Sequence, residues 1–274
     1  MSQFQSPVEE HYYQDGIFEK ILKLLKEQGK ERITREDITQ VDEFHVRGAA
    51  VSVELAEEAG FDKNTRVLDV GCGIGGPARM LAAKFGCKVT GIDITEEFIR
   101  TAKLLSRETG LDEQTEFITG NALQLPFNNE SFDVVWTQHA QMNIKDKGTF
   151  YSEISRVLKK GGRFIYYDIF SINHEPLYFP VPWAMNGSLS FLMTTNELNG
   201  LLTELGLLEI TAKDETMEAI QFFKQMKERS AKEGPPGPGM YILMGKNTNE
   251  MLAGLVRNIN EKKIELQSGI YRKL

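Results

Sequence analysis

The sequence predicts an α/β fold built around a parallel sheet. From Arg66 onward, short apolar runs alternate with segments of helical periodicity, which is typical of repeated βαβ units. Several of these runs are apolar along most of their length, as expected where helices cover both faces of a parallel sheet. The 274 residues, of which 41% are hydrophobic and 26% charged, are enough to bury a sizeable core.

The short apolar runs predict strands over residues 66–70, 88–92, 115–119, 132–136, 163–169 and 208–212. Helical spacing and stop signals predict helices over residues 17–28, 46–60, 77–85, 96–109, 149–158, 195–205 and 251 to about 265. We therefore expect residues 1–60 to form an N-terminal helical cover and residues 61–170 a ligand-binding core. Residues 171–274 are expected to supply a cap or lid, the completion of the sheet and a C-terminal helix.

The part of the chain after the fifth predicted strand is irregular. Residues 171–192 carry three prolines among large apolar side chains such as Tyr178, Phe179 and Trp183. Long irregular segments of this kind often form lids, so we interpret this one as a lid or pocket wall. The glycine and proline run of residues 234–239 predicts a turn or hinge.

Composition excludes several classes of function. The formal charge is −7 and no block of lysines and arginines occurs, so a nucleic-acid partner is not expected. Cys72 and Cys87 lack the spacing of a metal site or a disulfide framework, so we expect no metal and two reduced, structural cysteines. No signal-peptide pattern and no apolar stretch of about 18 residues occurs, which predicts a cytoplasmic protein without stable membrane association.

The strongest local motif is a glycine loop that joins the first strand to the helix beginning near Pro77. It reads Gly71-Cys72-Gly73-Ile74-Gly75-Gly76. Glycines allow a ligand to lie against bare backbone, and the loop places N–H groups beside it. By spacing alone Gly71, Gly73 and Gly76 also fit the dinucleotide pattern, so a nicotinamide-dependent oxidoreductase stays open. Asp93, after the second strand, would accept hydrogen bonds from a ribose diol, or else act as a turn residue.

Five further features accompany the glycine loop in a fixed order. An acidic residue, Asp69, stands two positions before the first glycine. The others are Gly91-Ile92-Asp93 and the segments 120–127, 131–136 and 157–163. In this order and spacing the chain resembles the class I S-adenosylmethionine-dependent methyltransferases. The resemblance implies a Rossmann-like, mostly parallel seven-stranded sheet with helices on both faces, an N-terminal helical cover and a small cap.

The resemblance also implies a cofactor site for S-adenosylmethionine within residues 61–170. Asp69 would compensate the ammonium of the methionine moiety, and Asp93 would hold the ribose. Asn121 stands where the family commonly has aspartate, and its amide would still accept a hydrogen bond from adenine, or else cap a turn. The expected cofactor-binding residues are His45, Asp69, Gly71, Gly73, Gly75, Gly76, Asp93, Ile94, Asn121, Ala122, Leu123 and Gln138.

Two residues are candidates for catalysis. His139 follows the fourth strand, and its ordinary pKa of roughly 6.5 suits a general base, although a packed histidine is the alternative. Asp168 stands near the end of the fifth strand, where it would orient His139, accept a proton, bind a cationic amine or simply reach solvent.

The acceptor is expected to be a small molecule. Similarity to sarcosine/dimethylglycine methyltransferases makes an amine nitrogen the first hypothesis, and carbon or oxygen methylation of a quinone, sterol or natural product is the alternative. Tyr12-Tyr13 and the aromatic residues Tyr178, Phe179 and Trp183 would form a box for a cationic ammonium group, or the core of the cap. A binding module without catalysis is a third interpretation, and a homodimer stays open.

Overall fold

The computed structural model describes residues 6–233 and 238–274, and the side chains of all of these except residues 229–233. Seven strands form one sheet in the order β3-β2-β1-β4-β5-β7-β6. They are β1 Arg66–Val70, β2 Lys88–Asp93, β3 Thr115–Thr119, β4 Phe132–Gln138, β5 Leu158–Ser171, β6 Leu207–Asp214 and β7 Ile264–Lys273. All neighbouring pairs are parallel except those that include β7, which runs antiparallel to β5 and β6. The predicted fold class is confirmed.

The order of the strands creates a crevice at the centre of the sheet. From β1 the chain proceeds to β2 and β3 on one side, then returns to place β4 on the other side of β1. The register pairs Asp69 with Gly91 of β2 and with Trp136 of β4. Connections that leave in opposite directions open a crevice beyond the carboxyl ends of β1 and β4, which is where open α/β sheets bind ligands.

The helices lie around this sheet, and most of them were predicted to within a few residues. They are α1 Pro7–Tyr12, α2 Ile17–Glu27, α3 Arg35–Asp42, α4 Ala49–Glu58, α5 Gly76–Phe85, α6 Glu96–Glu108, α7 Lys147–Val157, α8 Thr195–Glu204, α9 Thr216–Glu233, α10 Tyr241–Met244 and α11 Thr248–Asn260. Local chemistry sets several ends: Pro77 occupies the first turn of α5, and Thr194 with Glu197 forms a capping box at α8.

Alternate strand residues build a core on each face of the sheet. Val67 and Val134 pack with the side of the sheet covered by α4, α5 and α11, whereas Leu68 and Val135 pack on the side covered by α7 and α8. This two-residue period follows from the geometry of a strand. A third cluster joins α2 and α3 to α6 and α10 and forms the N-terminal cover.

The C-terminal part of the chain differs from the sequence prediction. The helix predicted to continue to about residue 265 ends at Asn260, and the following residues form β7. Glu265 therefore lies in a strand, paired with Phe170 of β5. The helix predicted from Val46 begins at Ala49, because Arg47 and Gly48 both have positive φ angles that end helical geometry before it.

Two other expectations concern the cap. Residues 171–192 are irregular, with a short 3₁₀ turn at Gly187–Leu189, and they include the fully buried side chain of Trp183. Most of the glycine and proline run predicted as a hinge, residues 234–237, lies outside the described residues.

Cys72 and Cys87 are both buried and free. Within the described helices, none is long and apolar enough to cross a membrane.

Candidate active site

A cavity of about 690 Å³ lies over the carboxyl ends of β1, β2 and β4. The glycine loop forms its floor, the segment 42–46 and α1 close one side, and residues of the cap and the C-terminal helices close the other. The cavity therefore occupies the crevice that the strand order creates. Its size is in the range of small-molecule sites.

The glycine loop exposes backbone to the cavity at Gly73. This residue has a φ of 53°, and a Cβ built on it would meet no atom within 4 Å, so a ligand has room beside it. Gly76 serves a different purpose, because a Cβ there would collide with the carbonyl oxygen of Asp42. Gly71 and Gly73 line the cavity, but Gly75 and Gly76 do not. Gly75 and Gly76 allow the loop to pack closely against its neighbours, and their predicted contact with the cofactor stays a prediction.

Asp69 is a buried carboxyl group without a complete set of partners. It lies at the end of β1, is 2% exposed and lines the cavity, and its Oδ2 accepts no hydrogen bond. Burial, with a contribution from the charge of Asp93, raises its pKa to about 8. A buried polar atom without a partner is costly, so this geometry favours a ligand that brings a cation or a hydrogen-bond donor.

Asp93 holds the loop in shape. One carboxylate oxygen accepts a hydrogen bond from the Gly73 amide at 3.0 Å, and the other accepts one from the Thr95 amide at 2.9 Å. Burial raises its pKa despite these bonds. The carboxylate lines the cavity and retains lone pairs for a ligand hydroxyl. Asp93 therefore acts as the turn residue of the alternative interpretation, and its contact with a ribose stays a prediction.

The turn after β3 borders the same cavity through Asn121, Ala122 and Leu123, and Ile94 lies opposite after β2. The Oδ1 of Asn121 accepts a hydrogen bond from the Leu123 amide at 2.9 Å. Asn121 therefore caps its turn, which was the alternative interpretation. Its amide nitrogen and the second lone pair of Oδ1 are left to contact a ligand.

His45 is buried against the fourth strand. Its Nε2 lies 2.9 Å from the Gly48 carbonyl oxygen and 3.1 Å from Ser52 Oγ, and Ser52 donates to Gln138 Oε1 at 3.1 Å. Burial lowers the pKa of His45 to about 4. The nearby Glu43 has a pKa raised to about 8, again by burial, so both side chains are neutral near pH 7. Ser52 was not identified from the sequence because a lone serine in a helix carries no motif.

His139 is held in an unusual backbone conformation and lines the cavity. Its φ is 48°, its amide donates to the Tyr167 carbonyl oxygen at 2.9 Å, and its ring stacks at 5.1 Å from the ring of Tyr167. The Nε2 is buried and has no partner. Burial, with a contribution from His45, holds the pKa of His139 well below its ordinary value, so the imidazole is neutral.

Asp168 lies behind His139 and does not line the cavity. Its Oδ2 accepts hydrogen bonds from the amides of Ala140 and Gln141, both at 3.1 Å, and its Oδ1 accepts one from Ile169. Burial raises its pKa to about 6. It makes no hydrogen bond with the His139 ring. The carboxylate instead fixes the backbone that follows His139, so the predicted role of orienting His139 is one that it would play through the main chain.

Tyr12 and Asn143 connect the cover to the cap across the cavity. The Tyr12 hydroxyl donates to Asn143 Oδ1 at 2.9 Å, and Asn143 Nδ2 donates to the carbonyl oxygens of Trp183 and Leu189. The predicted aromatic box does not form, because Tyr178 lies under the guanidinium of Arg257, 3.4 Å from its ring centroid. Tyr12 and Trp183 alone among these aromatics line the cavity.

The wall opposite the loop is apolar. We call it the apolar wall, and it comprises Met142, Ile169, Pro182, Trp183, Phe222, Phe223, Leu243, Met244, Leu252 and Leu255. Most of these residues lie in the cap and C-terminal helices. The sequence indicated that these helices have apolar faces, but it did not indicate that the apolar faces line the cavity.

The comparisons with known proteins agree with the motifs. Residues 68–166 match the family model described as a methyltransferase domain, and this part of the chain is therefore similar to that family. The resemblance to the class I S-adenosylmethionine-dependent methyltransferases is confirmed.

The relatives differ in what they act on. The chain is 32% identical over 169 residues to the sarcosine/dimethylglycine N-methyltransferase of Halorhodospira halochloris, over 61% of each chain. It thus spans less than two thirds of that relative. The fold is similar to geranyl diphosphate C-methyltransferase from Streptomyces coelicolor A3(2), with a TM-score of 0.70, 17% identity and coverage of 98% and 99% of the two chains. It is also similar to the [4+2]-cyclase SpnF, with a TM-score of 0.68, 20% identity and 99% of both chains covered.

Proposed function

We propose that this chain transfers a methyl group from S-adenosylmethionine to a small-molecule acceptor. The observation that carries the proposal is the convergence of three features on one cavity: the unpartnered carboxyl of Asp69, the open space at Gly73 and the carboxylate of Asp93. Each suits one part of the ligand. The carboxyl meets the methionine ammonium, the open backbone accommodates the methionine chain, and the second carboxylate meets the ribose hydroxyls.

The same carboxyl group disfavours a nicotinamide cofactor. In the dinucleotide pattern the pyrophosphate lies against the glycine loop. Asp69 is buried at that place and lines the cavity, and an acidic side chain offers no positive charge to compensate a pyrophosphate, whereas its ionised form can pair with an ammonium.

When bound, S-adenosylmethionine supplies an electrophilic methyl group on a sulfonium. The chain contributes positioning and the exclusion of water. Asp168 fixes the backbone at Ala140 and Gln141, and this presents the neutral imidazole of His139 to the cavity. A neutral side chain beside a sulfonium avoids repulsion between like charges and can accept a proton.

An amine acceptor is the proposal that follows from the sequence, and the similarity to a sarcosine/dimethylglycine N-methyltransferase supports it. The apolar wall supports a hydrophobic acceptor instead, since apolar surface is best covered by apolar ligand atoms.

The variant Gly73→Arg tests the site. We expect it to abolish binding of S-adenosylhomocysteine in calorimetry, because the new side chain would occupy the open space at this position. Gly200→Arg is the matched control, since Gly200 lies in α8, away from the cavity, and its Cβ would also meet no atom within 4 Å. Retained affinity in Gly73→Arg, in a protein that is still folded by circular dichroism, would refute the assignment of the site.

A further inference from the structure

The hydrogen bonds behind Gln138 determine which way its amide points. A carbonyl oxygen can only accept, so the 2.9 Å contact with Gly48 places the proton of His45 on Nε2. At the same Nε2, Ser52 Oγ can then only accept, at 3.1 Å. The hydroxyl hydrogen of Ser52 is left to donate, and its partner is Gln138 Oε1 at 3.1 Å. With the amide oxygen of Gln138 facing Ser52, the donors of His45 and Ser52 are both used.

This arrangement leaves two nitrogen atoms available to a ligand. The oxygen of Gln138 is occupied, whereas its Nε2, a pair of N–H donors, is buried without a partner. The Nε2 of His139 is likewise buried and unpartnered. Gln138 ends β4, His139 follows it directly, and both residues line the cavity, so the two nitrogens belong to the same part of its lining. Each unpaired group costs free energy that a ligand oxygen would recover.

The charges around the cavity are unevenly distributed. Among the described lining residues, the carboxylates and the single lysine lie on the side of the loop and its neighbours: Asp42, Asp69, Asp93, Lys145 and Asp146. The apolar wall contributes no charged side chain from the part of the chain that the structure describes. The carboxylate of an amino-acid acceptor such as dimethylglycine would require a cation there.

We propose that the acceptor is an uncharged hydrophobic molecule with a phenolic or enolic hydroxyl, that Nε2 of Gln138 and Nε2 of His139 hold its oxygen, and that Ser52 orients Gln138. This inference rests on the proposed methyltransferase function and names its acceptor. The proton of the O–H bond passes to His139, the oxygen forms the new O–CH₃ bond, and the electron pair of the broken S–CH₃ bond remains on sulfur as the neutral thioether. The proton then leaves His139 for solvent.

An acidic hydroxyl group suits the low basicity of the His139 imidazole. Burial keeps its pKa low, so the imidazole is neutral but a weak base. A weak base removes a proton efficiently only from an acidic donor, which favours a phenol or enol over an aliphatic alcohol. The ring or conjugated chain that makes such a hydroxyl acidic also supplies the apolar body that the apolar wall would cover.

The test is calorimetry on protein loaded with S-adenosylhomocysteine, with three probes. We expect 1-naphthol to bind at least about tenfold more tightly than its hydroxyl-free isostere 1-methylnaphthalene, and dimethylglycine not to bind. In Ser52→Ala, the affinity for 1-naphthol should fall about fivefold to tenfold while that for 1-methylnaphthalene stays the same, because only the hydroxyl uses the oriented amide. Gln138→Glu, which replaces the donor with an acceptor, should lose the preference for the hydroxyl.

Ser155→Ala is the matched control, since Ser155 is a nearly buried helical serine of α7 that does not line the cavity. Its probe affinities should equal those of the wild type. Binding of dimethylglycine, equal affinity for the two naphthalenes, or an unchanged affinity for 1-naphthol in a folded Ser52→Ala protein would each overturn the inference. Failure of S-adenosylhomocysteine itself to bind is a separate result, because it would refute the proposed function.

Discussion

Asp69 shows how one residue can carry both a structural cost and a functional role. The sequence predicted its place from its distance to the first glycine of the loop. The structure adds that Oδ2 lacks a partner and that burial raises the pKa to about 8. A binding site that remains unsatisfied until its ligand arrives costs stability in the free protein.

This cost predicts a pH dependence. Between pH 4 and 8 the unfolded carboxyl is ionised while the folded one keeps its proton, so the folded state binds more protons and its stability falls as the pH rises through this window. In Asp69→Asn the fall should be smaller, and near pH 8 the ligand-free variant should exceed the wild type by about 1–3 kcal/mol in urea unfolding. Its affinity for S-adenosylmethionine should nevertheless be lower.

Asp112→Asn is the control for this comparison, because Asp112 is an exposed carboxylate away from the cavity. It should keep the wild-type slope of stability against pH. Parallel curves for Asp69→Asn and the wild type would contradict the assigned pKa.

The roles of residues that lie outside the motifs could not be predicted from the sequence. The glycine loop, Asp69 and Asp93 follow from chemistry that recurs at fixed spacing. Ser52 contributes through a contact with Gln138, 86 positions away, and nothing in its local sequence distinguishes it from a solvent-facing serine. Contacts of this kind depend on how helices are placed against the sheet, which no local pattern specifies.

At the scale of elements, a buried ion pair joins the N-terminal cover to the helix that follows the glycine loop. Arg79 of α5 lies 3.0 Å from the carboxylate of Asp42 at the end of α3, and both side chains are fully buried. Arg79 also donates to the carbonyl oxygens of Ile74 and Ala102. The pair thus holds together the cover, the loop and α6.

Breaking this pair from one side should be costly. In Arg79→Met the carboxylate of Asp42 remains buried without its partner, and we expect a loss of about 3–5 kcal/mol in the free energy of unfolding, measured with urea. Arg100→Met removes a partly exposed pair between α2 and α6 and should cost less than about 1 kcal/mol. Equal losses in the two variants would show that the buried pair does not secure the cover.

The final strand illustrates which elements the sequence could not predict. The helix α11 ends at Asn260, Glu261 is its C-cap residue, and Lys262 takes a left-handed φ of 55° without a glycine to mark the stop. In the sequence alone, the apolar residues Ile264 and Leu266 therefore look like a continuation of the helical pattern. Strand β7 lies between β5 and β6 and pairs with both. Its strand conformation therefore depends on tertiary contacts and not on the local sequence. By contrast, the parallel strands were predicted because each is locally apolar and bounded by turns.

At the scale of the whole molecule, a conventional sheet supports a cavity whose two sides have different origins. The loop side comes from motifs that any class I relative carries, and the sequence predicted most of it. The opposite side comes from the cap and the C-terminal helices, where apolar residues are plentiful but their partners are not specified locally. The identity of the cofactor therefore follows from the sequence more readily than that of the acceptor.

The central claim is that the cavity binds S-adenosylmethionine, and the shift in thermal midpoint of the purified protein with different ligands tests it most directly. At a concentration about 100 times the dissociation constant, a ligand that binds only the folded state adds about 2.7 kcal/mol, enough to raise the midpoint by several degrees. We expect this rise with S-adenosylmethionine and S-adenosylhomocysteine but not with NAD or NADP. A rise with a nicotinamide dinucleotide alone would contradict the account.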